Sequence, residues 1–129
     1  MELNEIINNI KQKYSDAKLL EENSRYSNAI YLCGYCVELS LKHAIAKNLK
    51  WNRFNTEGKF KFLKAHDLEL LVSLTGEEVK IKRLPAWSIV NKWDESKRYE
   101  DPSQATQNDA SVMIESAKQI VEELCKISL

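Results

Sequence analysis

Residues 25 to 48, RYSNAIYLCGYCVELSLKHAIAKN, are apolar on nearly every face of the helix they would form. Ala29, Cys33, Cys36, Val37, Ser40 and Ala44 fall on one side, Ile30, Leu41 and Ile45 on another, and Leu32 and Leu39 on a third. A helix of that kind has no face to give to water and must be packed all round, so it predicts a central helix with neighbours on several sides. Its many small residues let those neighbours come close. Asn23 or Ser24 supplies a plausible N-cap.

The flanking segments carry the matching faces. Leu3, Ile6, Ile7, Ile10, Tyr14, Ala17 and Leu20 recur at steps of three and four and predict an amphipathic first helix. Between residues 104 and 126, Ala110, Met113, Ile114, Ala117, Ile120, Val121 and Leu124 form the stripe of a long closing helix. HDLELLVSLTG predicts a short helix capped by Asp67 and closed by Gly76, and Pro85 suits the first turn of another. The stretch from 49 to 64, LKWNRFNTEGKFKFLK, has lost the helical period and reads as a long, exposed basic connection with interleaved aromatics. Three glycines and two prolines are too few for the turns of a sandwich or barrel, so the chain reads as all-α. At 129 residues it is long enough for one core and too short for two, which predicts a single domain over residues 1–129. No leader-like or bilayer-length apolar run occurs, so the expectation is a cytoplasmic protein without a membrane partner.

Charge is unevenly placed although the formal net charge is zero. Residues 42 to 64 carry Lys42, Lys47, Lys50, Arg53, Lys59, Lys61 and Lys64 against Glu57 alone. Residues 80 to 98 are also basic, with Lys80, Lys82, Arg83, Lys92, Lys97 and Arg98 against Asp94 and Glu95. Such asymmetry can build a positive face that attracts phosphate-bearing partners, or it can simply keep two connections soluble.

Cys33 and Cys36 have the spacing of a redox dithiol, but CGYC falls inside a helix with no strand before it. A zinc site would draw on His43, His66 and Cys125 without the second tight pair that makes such spacing specific. The cysteines therefore read as small core residues, with no metal or cofactor expected. Tyr31, Tyr35, Glu38 and Lys42, at steps of four, three and four, form a polar and aromatic stripe on an otherwise greasy helix. Glu38 and Lys42 either pair with each other at the rim of the core, or Glu38 also holds a cation from elsewhere, such as Arg98 or His66, and walls a polar cleft.

The order YSNAIYLCGYCVELSLKHAIAKNL, then KAHDLELLVSL, then KWDESKRYEDP before a long closing helix resembles the HEPN domain family, proposed to bind nucleotides in higher eukaryotes and prokaryotes. The resemblance spans residues 3 to 127 and implies an up-and-down bundle of four or five helices. It also implies a homodimer, often encoded beside a minimal nucleotidyltransferase as a toxin and antitoxin pair. Many members are metal-independent ribonucleases that use an Arg followed one to two helical turns later by a His. Here the arginines are Arg25, Arg53, Arg83 and Arg98 and the histidines His43 and His66, and none has that relation. The match is to the branch that lacks the nuclease motif, through Glu38, Lys42, His66, Arg98 and Tyr99.

The expected function is thus a noncatalytic module that binds a nucleotide, an RNA phosphate or a partner such as a nucleotidyltransferase through a basic cleft of a homodimer. Glu38, Lys42, His66, Trp93, Arg98 and Tyr99 are the candidate ligand-binding residues, Trp93 and Tyr99 as stacking aromatics. His66 could equally be a hydrogen-bonding residue at a helix start, and the two aromatics core or interface residues. The alternatives are a ribonuclease toxin with noncanonical residues, and a pure interaction or antitoxin module.

Overall fold

The computed structural model describes residues 1–129, with the side chain of Arg98 outside the described residues. Three long helices form the body: α1 (Leu3–Glu22), α2 (Tyr26–Asn48) and α6 (Gln107–Cys125). Between α2 and α6 lie three short helices, α3 (Leu68–Ser73), α4 (Glu78–Lys82) and α5 (Pro85–Val90). Single 3-10 segments cover Gly58–Lys64, Glu95–Tyr99 and Pro102–Gln104. The expected all-α bundle is what forms. No helix among the described residues is long and apolar enough to cross a membrane.

Helix α2 is the axis of the molecule. Every residue from Cys36 to Ala46 is buried, Glu38, Lys42 and His43 included, because α1 and α6 pack along it and α3 and two 3-10 segments close the remaining sides. The facing helices bury the stripes their periodicity predicts: Ile6, Ile10, Tyr14 and Ala17 from α1, and the whole set from Ala110 to Leu124 from α6. Thr106 and Asp109 cap α6 reciprocally, each side chain accepting from the other's backbone N–H at 3.1 and 3.0 Å, so the helix starts after the expected position 104.

Two local expectations are corrected. Neither Asn23 nor Ser24 is the N-cap of α2; that position is Arg25, while Asn23 closes α1 by donating to the Leu19 carbonyl at 2.8 Å and Ser24 turns the chain at φ 63°. Helix α3 ends at Ser73 rather than at Gly76, whose φ of +77° instead redirects the chain into the unforeseen α4. The capping of α3 by Asp67, which accepts from the N–H groups of Glu69 and Leu70 at 3.0 and 3.3 Å, and Pro85 at the first turn of α5 are as expected.

The connection at 49–64 is only half the open loop it resembles. All its aromatics but Phe62 turn inward: Phe54 is buried, as is the neighbouring Leu63, and the Trp51 ring meets Phe60 edge-on at 4.7 Å between centroids. The N-terminus sews it down, since Phe54 N–H donates to the Met1 carbonyl at 2.8 Å and the Met1 ammonium to the Phe54 carbonyl at 3.2 Å. Aromatic and cationic residues alternate here, so burying the first set leaves the second in water.

Candidate functional site

The stripe on α2 does become a polar cluster. Glu38, with only 4% of its side chain exposed, uses both carboxylate oxygens. Oε2 accepts from Lys42 Nζ at 3.2 Å, one turn along the same helix, and Oε1 lies 2.8 Å from His66 Nδ1. His66 reaches it from the turn that leads into α3, a turn fixed by the Asp67 cap. Of the two distant basic residues expected as partners of Glu38, His66 is in place, and the side chain of Arg98 lies outside the described residues. On its other side His66 Nε2 lies 3.2 Å from Glu95 Oε2.

Aromatic rings close the cluster toward the start of α2. Tyr31 donates to the Tyr35 hydroxyl at 3.2 Å, and this bond followed by burial pushes the Tyr35 hydroxyl up to about 12. Tyr35 stands edge-on to His66 and to Trp93, at 6.2 and 5.2 Å between centroids, and Tyr31 stacks on Trp93 at 6.1 Å. Trp93 itself rests on the bare backbone of Gly34, where any Cβ would overlap its indole ring.

Several expected ligand-binding side chains are thereby committed elsewhere. Lys42 does not open onto a cleft: its side chain is 9% exposed, tied to Glu38, with Nζ 5.7 Å from the centre of the Phe54 ring. Trp93 is 4% exposed, its ring packed against Gly34, Tyr31 and Tyr35. Tyr99 is 76% exposed at the end of the 3-10 segment Glu95–Tyr99. Arg98 belongs to that same segment, and its side chain lies outside the described residues.

The described side chains of the groove beside His66 are mainly acidic. Asp67, Glu69, Asp94 and Glu95 line it together with Lys92. Glu69 is held below the usual carboxylate range by its hydrogen bond with Lys82, and Asp94 likewise by hydrogen bonds from Ser96, so both stay anionic. The basic stretch 80–98 disperses: Lys80 and Lys82 pair with Glu123 and Glu69, and Lys97 with Glu100. Among the described side chains, the groove beside Glu38 and His66 carries more acidic than basic groups.

Positive charge collects instead from the last turn of α2 along the connection that follows it. Lys47, Lys50, Arg53, Lys59, Lys61 and Lys64 are all exposed, and none forms an ion pair among the described residues. Phe62, 52% exposed, stands among them. This strap was visible in the sequence as cations alternating with aromatics; that its aromatics divide into buried anchors and one solvent-facing ring was not. Glu95 was missed entirely as a partner of His66.

The cysteines carry no chemistry that the environment favours. Cys33 and Cys36 have no exposed surface, and Cys125 is buried. Burial pushes the Cys36 and Cys125 thiols up to about 12 and Cys33 higher still, against the thiolate a nucleophile or metal ligand requires. Among the described residues no three His, Cys, Asp or Glu side chains are grouped to hold a metal ion.

A helix bundle built around one buried, charge-bearing helix defines the class of protein. Within that class the chain belongs to the HEPN domain family, whose model matches residues 4–128. No match was found among curated proteins or among solved structures.

Proposed function

We propose that the chain acts as a noncatalytic HEPN module that binds the phosphate backbone of RNA through the basic strap from Lys47 to Lys64. One observation carries the reading: six exposed cations, without carboxylate partners among the described residues, share with the exposed Phe62 a stretch of chain tied down at Phe54. Unpaired lysines on a fixed surface release counterions from a polyanion at little ordering cost, and an aromatic face among them can stack a base. The homodimer and the nucleotidyltransferase partner implied by the family resemblance, and the cytoplasmic location expected from the apolar pattern, belong to the same proposal. Binding of a short single-stranded RNA should weaken steeply with salt. Replacing Lys59, Lys61 and Lys64 with Ala should reduce the slope of log affinity against log salt by about 2, at about 0.7 per phosphate contact in a single strand. No binding at low salt sinks the proposal and leaves the pure interaction module in front.

The Glu38–His66 pair supports the ribonuclease reading as a second possibility. A buried carboxylate at Nδ1 orients a histidine as general bases are oriented, with the other ring nitrogen toward a groove. Glu95 occupies that nitrogen, and no Arg stands at the family's spacing from a His. Metal-free RNA cleavage by the wild type, lost in His66→Ala, would reverse the ranking.

A further inference from the structure

The imidazole of His66 sits between two acceptors. Glu38 Oε1 is 2.8 Å from Nδ1 and Glu95 Oε2 is 3.2 Å from Nε2. An ionised carboxylate can only accept hydrogen bonds, and a neutral imidazole has one N–H, so both contacts are hydrogen bonds only when the ring carries both protons. When it carries one, a ring lone pair must face a carboxylate oxygen, and one of the two contacts fails.

Which one fails follows from burial. Glu38 is 4% exposed and has its other oxygen on Lys42, so it cannot recover a lost partner from water. Glu95 is 48% exposed and can be rehydrated where it stands. His66 itself is 39% exposed, so its proton exchanges with solvent without unfolding. The other groups around the ring do not substitute for Glu95. Tyr35 presents a ring edge, its hydroxyl engaged with Tyr31. Asp67 caps α3, Asp94 accepts from Ser96, and Glu69 is paired with Lys82. Lys92, at the edge of the same groove, forms no ion pair with any of them.

We propose that His66 is a proton-operated clasp that fastens the 3-10 segment Glu95–Tyr99 to helix α2. With both ring nitrogens protonated it donates to Glu38 and Glu95 together, and the segment is docked. On losing one proton it keeps the donation from Nδ1 to Glu38, its Nε2 lone pair turns against Glu95, and the segment is released. The device therefore holds on the acid side and opens on the alkaline side, and it stands whatever the basic strap binds. Among the described residues, the segment's backbone bonds run to itself and its cap: Lys97 N–H to the Asp94 carbonyl and Glu100 N–H to the Lys97 carbonyl, both at 3.2 Å, and Ser96 N–H to Asp94 Oδ1 at 2.8 Å. Trp93 on Gly34 brings the chain to α2, and Glu95 adds the side-chain link from the segment to His66.

The test follows two signals in the full chain between about pH 5 and 9, the span in which histidines ordinarily titrate. Ring nitrogen shifts in NMR report the protonation of His66, and solvent exchange of the Ser96, Lys97 and Glu100 amides, corrected for intrinsic rates, reports docking. The expected result is exchange about fivefold faster above the ring midpoint than below it, the loss of one partly exposed charge-assisted bond. In Glu95→Gln the ring should still titrate, but the fivefold difference should vanish, because an amide can accept from Nε2–H or donate to the bare nitrogen. No difference in the wild type, a difference that persists in Glu95→Gln, or a ring that keeps one protonation state across the range each overturns the clasp.

Discussion

Trp93 lies flat against the backbone of Gly34, so close that a Cβ on residue 34 would overlap the indole ring. The single glycine inside α2 is therefore the seat of an aromatic anchor that brings the 93–99 segment, and with it Glu95, to His66. Its usual cost in a helix, about 1 kcal/mol relative to Ala, is accepted for that contact.

Gly34→Ala should accordingly destabilise the protein despite the better helix propensity of Ala. Overpacking costs about 1–3 kcal/mol. Chemical denaturation checks the sign, and a double-mutant cycle with Trp93→Leu should show the loss shrinking once the ring is removed.

Glu38→Ala should cost about 3–5 kcal/mol, the range for leaving a buried charge without its partner, because Lys42 would be stranded on a buried face of α2. Replacing both, as Glu38→Leu with Lys42→Met, should recover most of that loss. A double mutant no more stable than Glu38→Ala would show that His66, not Lys42, is the partner that matters.

His43 gives the fold an acid-side weakness. Burial, followed by repulsion from Lys47, pushes its pKa below the ordinary value, and its buried Nδ1 has no hydrogen-bond partner among the described residues. The unfolded chain then binds a proton that the folded chain resists, so the stabilising difference is whole above about pH 6.5 and is lost as pH falls below it. Thermal melts should show the wild type losing stability more steeply than His43→Phe as pH falls below that point. Parallel curves would mean that His43 is not the group responsible.

Phe62→Ala should leave stability within about 0.5 kcal/mol, as expected for an exposed position. If the strap binds single-stranded RNA, the same substitution should weaken it by about 1–3 kcal/mol, the value of one stacked base. Equal affinity for both proteins at matched salt would confine the strap to phosphate contacts.

The three thiols should be silent toward an aqueous thiol reagent in the native protein and react together on unfolding, since each is buried and held as the thiol. Cys33→Ala with Cys36→Ala should lower stability by at most a few kcal/mol, through small cavities between α2 and its neighbours. Rapid labelling of any one cysteine in the native state contradicts their role as packing residues.

What the sequence by itself determined is the set of long helices and the residues each buries. The stripes of α1 and α6 and the all-round burial of α2 are read from a period of three to four residues, and side chains that close in sequence share a helix face whatever surrounds them. The Asp67 cap and Pro85 were legible for the same reason, since a cap is settled within one turn. Helix α4 was not, because five residues with only Ile81 buried carry too little period to read. The partners of the charges were also beyond reach. His66 is 28 residues from Glu38 and 29 from Glu95, and nothing local tells a histidine which carboxylates it will meet. Likewise Lys80, Lys82 and Lys97 of the basic stretch 80–98 entered ion pairs while the strap at 47–64 kept its charge, although the two look alike as strings. Electrostatic sign at a site is a sum over groups from distant segments, and only the packing that brings those segments together decides it.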